Sequence, residues 1–170
     1  MPTEDDAAQI FQAVLGQTAC LVERFPAGLA HYVFDVRTET GGQFVVRLTR
    51  AEQAAEFAGA VYWHPRLTSV GVPLPKLLYT DPTGTDQRFP TLILERLPGA
   101  DLGEVYQQLT REQKHRLAQE IARIQAAVAT LPPGPGFGEA HSYEAPLWPR
   151  WRDVLAAHLQ RSRRQIREVG

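Results

Sequence analysis

The sequence predicts an α+β fold, with an antiparallel sheet of about five strands and one packed helix followed by a helical region. Before residue 98, short runs of β-branched and aromatic residues alternate with turns that contain glycine or proline. One apolar stripe at helical spacing, after Ala51, interrupts these runs. After residue 98 the apolar residues recur at helical intervals, so the strands give way to helices.

The clearest strands lie at residues 32–38 and 43–49, and residues 39–42 (Glu-Thr-Gly-Gly) form a turn that tolerates positive φ. This pattern predicts a β-hairpin. Residues 25–31 (Phe-Pro-Ala-Gly-Leu-Ala-His) form a small glycine-containing loop ahead of it. The backbone N–H groups of such a loop can approach a phosphate closely, and an ordinary strand connection is the alternative interpretation.

A helix is predicted over residues 51–67, where alanines, Phe57, Val61 and Tyr62 form an apolar stripe. Glu52 and Glu56 are one turn apart on a second face. The preceding strand carries Arg47 within an apolar run, so one of these carboxylates could meet that cation. Such a pair would hold a positive charge against nucleotide phosphates, whereas a solvated helix face is the simpler alternative.

Residues 71–75 (Gly-Val-Pro-Leu-Pro) end the helix, and strands are predicted at 76–81 and 89–97. A polar loop over residues 81–88 joins these two strands. The second strand stops abruptly at Pro98-Gly99. An end of this kind exposes backbone donors and acceptors beyond the sheet, which a purine edge could use.

The rest of the chain is predicted to be helical. Asp101 can cap a short helix, and Thr110 with Gln113 forms a capping box for a long one. Apolar residues at helical intervals in the long helix predict one buried stripe, formed by Leu117, Ile121, Ile124, Val128 and Leu131. A proline- and glycine-rich run over residues 132–138 precedes a last helix near Trp148 and Trp151, whose arginine-rich end indicates a solvated face.

These pieces, taken in order, resemble the amino-terminal half of the aminoglycoside phosphotransferase and choline kinase-like family. The glycine loop, the V-V-R-L strand, the acidic helix, G-V-P-L-P and L-I-L-E-R-L-P-G carry the resemblance over roughly residues 8–138. It implies a protein-kinase-like fold, with a nucleotide-binding lobe at residues 1–97 and a hinge and incomplete helical lobe at 98–170. It also implies phosphoryl transfer from ATP or GTP to a small-molecule hydroxyl.

The resemblance assigns a role to each matching position. Arg47 would contact phosphate, with Glu56 as its helix partner and Glu52 as the alternative. The base would lie between Val45 and Leu94, held by the carbonyl of Glu95 and the N–H of Leu97. The phosphate loop would comprise Ala27, Gly28, Ala30 and His31. Arg47 stands where the best-known members have lysine; arginine keeps the charge, but its planar fork is bulkier and places that charge differently.

No catalytic residue or metal ligand is predicted, because the family's H-G-D-x-x-x-x-N loop does not occur. None of the five histidines stands two residues before an aspartate. We therefore expect weak binding of ATP or GTP, with Mg²⁺ expected only where a catalytic half supplies its ligands. The alternative is a non-catalytic nucleotide-binding or protein-interaction module. The residues do not identify the acceptor.

Composition limits the remaining classes of function. The formal net charge of −1 predicts no general attraction to nucleic acid. The single cysteine, Cys20, lies in an apolar run and is expected to be buried. No apolar span reaches about 18 residues, so we expect a cytoplasmic protein without membrane contact. Helices that lack the rest of a second lobe should expose apolar surface, which favours self-association.

Overall fold

The structure is a computed structural model that describes residues 1–26, 31–145 and 147–169. Five α-helices are described: α1 (Glu4–Leu15), α2 (Ala54–Ser69), α3 (Leu102–Val105), α4 (Arg111–Val128) and α5 (Trp151–Val169). Five strands are described: β1 (Ala19–Arg24), β2 (Tyr32–Thr38), β3 (Gln43–Leu48), β4 (Leu77–Asp81) and β5 (Thr91–Glu95). The predicted α+β class and the number of strands are confirmed.

The strands form one sheet in the order β1-β2-β3-β5-β4, and every neighbouring pair is antiparallel. The predicted hairpin joins β2 to β3, and Gly41 in its turn has φ +84°, a conformation that glycine adopts without strain. In the central pairing, Val45 lies opposite Leu94 and Arg47 lies opposite Leu92. This register places Val45 and Arg47 on the same face of the sheet.

Helix α1 covers one face of the sheet through Ala7, Ile10 and Phe11, which pack on Phe34 and Val46. The sequence analysis predicted a single packed helix and missed this one. A capping box between Thr3 and Asp6 starts the helix. The acidic first turn, formed by Glu4, Asp5 and Asp6, complements the positive end of the helix dipole.

Helix α2 covers the opposite face, where Phe57 packs against Leu92 and Leu94. One turn of 3-10 helix, Ala51–Gln53, precedes α2, so the regular helix begins slightly later than predicted. The side chain of Phe57 is only 1% exposed, which makes it the anchor of this contact. The sheet is therefore sandwiched between two helices, and α2 carries its carboxylates to the Arg47 face.

The chain after the long helix returns to α2. Tyr143 donates its backbone N–H to the Tyr62 hydroxyl, and the Trp63 indole N–H donates to the carbonyl of Ala140. Gly59 permits this approach, because a Cβ at that position would lie 2.9 Å from Nδ1 of His141. The segment around residues 139–143 thus forms a wall against α2.

Two predictions of burial are wrong. The stripe on α4 is not core, since α4 contains no buried residue and Ile121 is 44% exposed. The helix has the predicted apolar spacing, but the described residues place no layer over it. Cys20 is also exposed, because β1 is the edge strand of the sheet. Within the described ranges, no helix is long and apolar enough to span a bilayer.

The loop that follows β4 is organised by Asp81. One carboxylate oxygen accepts the backbone N–H groups of Gly84 and Thr85, and the other accepts those of Asp86 and Gln87, at 2.9–3.1 Å. Burial by itself would raise the pKa of Asp81, but these backbone hydrogen bonds outweigh it and the pKa lies below its ordinary value. The ionised carboxylate therefore stabilises the loop.

We expect Asp81→Asn to lower the free energy of unfolding by about 2 kcal/mol at pH 7, because an amide nitrogen would face backbone donors. The depressed pKa makes this contribution complete above about pH 4 and lost as pH falls through the folded-state pKa. Urea unfolding at pH 7 and pH 3 should show a smaller difference between wild type and variant at pH 3. Asp86→Asn, an exposed neighbour, should change little; an equal loss there would refute the assignment.

Candidate functional site

The candidate site begins on the sheet face beneath α2, where β3 and β5 present Val45, Arg47, Leu92 and Leu94. Arg47 is half-buried, and its guanidinium lies 5.5 Å from the centre of the Phe57 ring. This is a cation–π distance, so the ring supports the cation without neutralising it. The apolar residues beside Arg47 on this face follow from the pairing of β3 with β5.

Arg47 is held in a partly desolvated position. Burial lowers the pKa of Arg47, and the nearby negative charge of Glu56 opposes that shift. Among the described side chains, no carboxylate oxygen lies within 4.0 Å of the Arg47 guanidinium. The group keeps its charge, because the unperturbed value is far above neutral pH. Its hydrogen-bonding fork is therefore available to an anion.

Glu56 makes its direct contact with His31 instead of Arg47. Its Oε2 lies 2.9 Å from Nε2 of His31, and the other ring nitrogen, Nδ1, lies 3.2 Å from the Thr49 hydroxyl. Glu56 and Arg47 therefore do not form the predicted direct ion pair. Glu56 acts on Arg47 only through its negative charge, at a longer distance. A half-buried imidazole needs partners for both nitrogens, and the carboxylate satisfies one of them. The alternative partner, Glu52, is exposed on the 3-10 turn.

The neighbours of His31 also change its pKa. Burial lowers the pKa of His31, the positive charge of Arg47 lowers it further, and Glu56 partly opposes both. Its ring lies 5.0 Å from the Phe57 ring, between centroids. Phe57 therefore contacts both basic residues of the site. The sequence placed Phe57 in an apolar stripe but carried no signal for this second role.

A cleft of about 700 Å³ lies at the end of β5, and Phe25, Pro26, residues 96–101, Gly103 and Glu104 line it. Leu97 is 44% exposed there, and within the described part of the chain its N–H donates to no protein acceptor. Arg96 lies over the Phe25 ring at 5.2 Å and its Nε lies 3.7 Å from Asp35. These contacts join the hinge to the residue after β1 and to β2, and the sequence did not predict them.

A second cavity, of about 500 Å³, lies on the α2 side of the sheet and is bordered by Arg47, Glu56 and Leu94. The residues assigned by resemblance are thus divided between two cavities, with Leu97 in the hinge cleft. Val45 is half-buried and packs against the Phe57 cluster. Ala27, Gly28 and Ala30 of the expected phosphate loop lie outside the described residues, and His31 is the first described residue after them.

The described residues contain no group of three or more histidine, cysteine, aspartate or glutamate side chains arranged to hold a metal ion. The carboxylates near Arg47 and the hinge are instead paired with basic side chains, as Glu56 is with His31 and Asp35 is with Arg37 and Arg96. What the site offers chemically is a cation, an apolar sheet face and, at Leu97, a backbone donor that has no acceptor in the part of the chain described.

Comparison with known proteins gives a family and a fold. Residues 21–169 match the family described as "Phosphotransferase enzyme family". No curated protein matches the chain. The fold is similar to a solved structure, the GDP complex of an aminoglycoside 2'-phosphotransferase-IIIa mutant, with a TM-score of 0.64 and 19% identity. The similarity covers 76% of this chain and 42% of that one, so this chain spans less than half of that structure.

Proposed function

Because the chain belongs to the phosphotransferase enzyme family, we propose that it binds a purine nucleoside triphosphate and serves the nucleotide side of phosphoryl transfer to a small-molecule hydroxyl. The observation that carries this proposal is the state of Arg47. It is a half-buried cation without a direct ion pair among the described residues, on the sheet face that leads to the hinge. A partly desolvated cation whose donors are not taken up by a direct carboxylate partner can bind phosphate.

The described residues fit a purine nucleotide. Leu97 lines the hinge cleft and supplies an N–H without an acceptor among the described residues, and the carbonyl of Glu95 belongs to the last residue of β5, two positions earlier. A base edge needs one donor and one acceptor of this kind. Phe44, the strand partner of Glu95, is three residues before Arg47 on β3, which corresponds to roughly 10 Å along the strand. We infer that the base lies at the hinge and that the phosphates extend toward Arg47.

The nucleotide-binding step is the part of the reaction that this sequence serves. A magnesium ion bound to the phosphates would neutralise charge during transfer, and carboxylate or amide ligands from an H-G-D-x-x-x-x-N loop are absent from the sequence. Arg47 alone supplies one cation, so we infer weak binding. ATP and GTP both remain candidates, and GDP is the nucleotide of the solved relative named above.

Nucleotide titration tests the proposal. We expect ATP and adenosine both to shift the amide NMR signals of residues 94–97, with a Kd for ATP on the order of 0.1–1 mM. Parallel titrations with GTP and guanosine determine the base preference. Perturbations that avoid residues 94–97 for every nucleotide would contradict a base site at the hinge.

A matched pair of variants sharpens this test. Leu97→Pro removes the N–H and should weaken adenosine and ATP equally, by about fivefold, which corresponds to one ordinary hydrogen bond. Leu97→Ala keeps the N–H and should bind nearly as wild type. Equal behaviour of the two variants would mean that the side chain of Leu97, rather than its backbone, contributes to binding.

We also propose that the chain associates with a second copy through its helical region. Trp151, Leu155 and Leu159 are 56%, 55% and 52% exposed on α5, and they recur one turn apart on one face. Pairing two such faces would bury them. Light scattering across micromolar concentrations should show a concentration-dependent increase in mass. Leu155→Lys with Leu159→Lys should abolish it, and a wild-type monomer throughout would refute it.

A further inference from the structure

The cavity on the α2 side has the size of a small-molecule site and is separate from the hinge cleft. Its volume is about 500 Å³, within the usual range for ligand pockets, and it shares no lining residue with the cleft in the part of the chain described. The walls come from α2, β4, β5 and residues 139–141. Most of the wall is apolar, with Leu67, Leu74, Leu77 and Leu92 contributing to it.

The polar groups that border this cavity are mostly occupied by protein partners. Nε2 of His64 lies 2.7 Å from the Pro75 carbonyl, and the Trp63 indole N–H donates to the Ala140 carbonyl. These contacts satisfy the polar atoms of both rings that face the protein. An occupant therefore meets mainly the apolar faces of the His64 and Trp63 rings.

The charged residues at the rim differ in whether they have a direct partner. The carboxylate of Glu56 is held by His31 at 2.9 Å, and that of Glu139 lies 3.6 Å from Arg161. Arg47 borders the same cavity, and the side chains that the structure describes place no carboxylate within 4.0 Å of it. The cavity consequently combines an apolar body with one cation at its edge whose guanidinium fork has no direct carboxylate partner among the described side chains.

We propose that this cavity binds a flat apolar molecule that carries one acidic group, of the aromatic carboxylate class. The acid would pair with Arg47, in competition with the nucleotide phosphate proposed above, and the ring system would lie against Leu67, Leu77 and Leu92. A carboxylate can accept two N–H groups from the guanidinium fork, so Arg47 sets the orientation as well as the charge preference. Apolar burial supplies the remaining affinity.

Two probes of equal shape test the inference: 2-naphthoate and the neutral 2-naphthylmethanol. Both are titrated into the full 170-residue chain, and the methyl NMR signals of Leu67, Leu77 and Leu92 are followed. We expect both probes to shift these methyl groups and naphthoate to bind about tenfold more tightly, the effect of a charge-assisted hydrogen bond. Arg47→Gln should reduce that difference to less than about twofold.

A variant that fills the cavity provides a second test of the inference. Leu74→Trp should weaken both probes at least about tenfold, because the indole would occupy their space. Leu78→Trp is the matched control, since Leu78 lies on β4 just after Leu74 in the chain, is 41% exposed and does not line the cavity. That control should bind both probes as wild type. A thermal melt of each variant confirms that it is folded.

The inference is overturned if neither probe shifts the three leucine methyl signals, if the two probes bind equally, or if Arg47→Gln leaves their ratio unchanged. Equal effects of the two tryptophan variants would also overturn it. Adenosine separates this inference from the nucleotide proposal, because its signals at residues 94–97 should persist in Leu74→Trp. Naphthoate binding without adenosine binding would contradict the nucleotide proposal alone.

Discussion

Arg47→Gln is expected to weaken ATP binding about tenfold or more and to leave adenosine binding nearly unchanged. A charge-assisted hydrogen bond contributes about 1.5–3 kcal/mol, and each 1.4 kcal/mol corresponds to a tenfold change in Kd. Glutamine keeps a donor of similar reach but removes the charge. Because the proposed contact of Arg47 is with phosphate, the base should not sense the substitution. Isothermal or NMR titration with both ligands measures the two effects.

Arg50→Gln is the matched control for this experiment. Arg50 follows β3, is exposed, and donates from Nη2 to the Tyr32 hydroxyl at 3.1 Å, so it carries the same charge at a position outside both cavities. Its loss should change ATP affinity by less than about twofold, since salt and solvent screen exposed charges. Equal losses of ATP and adenosine binding in Arg47→Gln, or a similar ATP loss in Arg50→Gln, would remove Arg47 from the phosphate site.

Phe57→Ala is expected to lower the free energy of unfolding by about 3–5 kcal/mol, the usual cost of removing a fully buried phenylalanine. Phe57 joins α2 to the sheet through Leu92 and Leu94, and it also contacts the rings or cations of His31 and Arg47. Since domains are stable by only about 5–15 kcal/mol, the variant should be near its folding limit. Urea denaturation followed by circular dichroism measures the loss.

A comparison with Phe11→Ala separates stability from site geometry. Phe11 is equally buried but belongs to α1 on the opposite face, so its removal should cost a similar free energy of unfolding. Only Phe57→Ala should also alter the His31 imidazole NMR signals. Only this variant should weaken ATP binding by more than the decrease in the fraction of folded protein explains. Identical effects of the two variants on these signals would show that Phe57 acts through stability alone.

The secondary structure was largely predictable, because its signals are local. The hairpin of β2 and β3 follows from β-branched runs on either side of a glycine turn, and α4 begins at the expected capping box of Thr110 and Gln113. Helix α1 carries the same kind of local signal, a capping box of Thr3 and Asp6, although it was not predicted. Burial was less predictable: the α4 stripe has core spacing without a covering layer.

The sequence by itself determined which residues stand on the functional face. Alternation along β3 puts Arg47 and Val45 on the same side, and helical spacing puts Glu56 on α2 near them. The tertiary structure decided which groups meet. His31 takes the Glu56 carboxylate, and Phe57 lies beneath Arg47, because those contacts depend on how α2 packs on the sheet. Which side chains contact one another across a packed interface depends on the relative position of the two elements, and no local sequence pattern specifies that position.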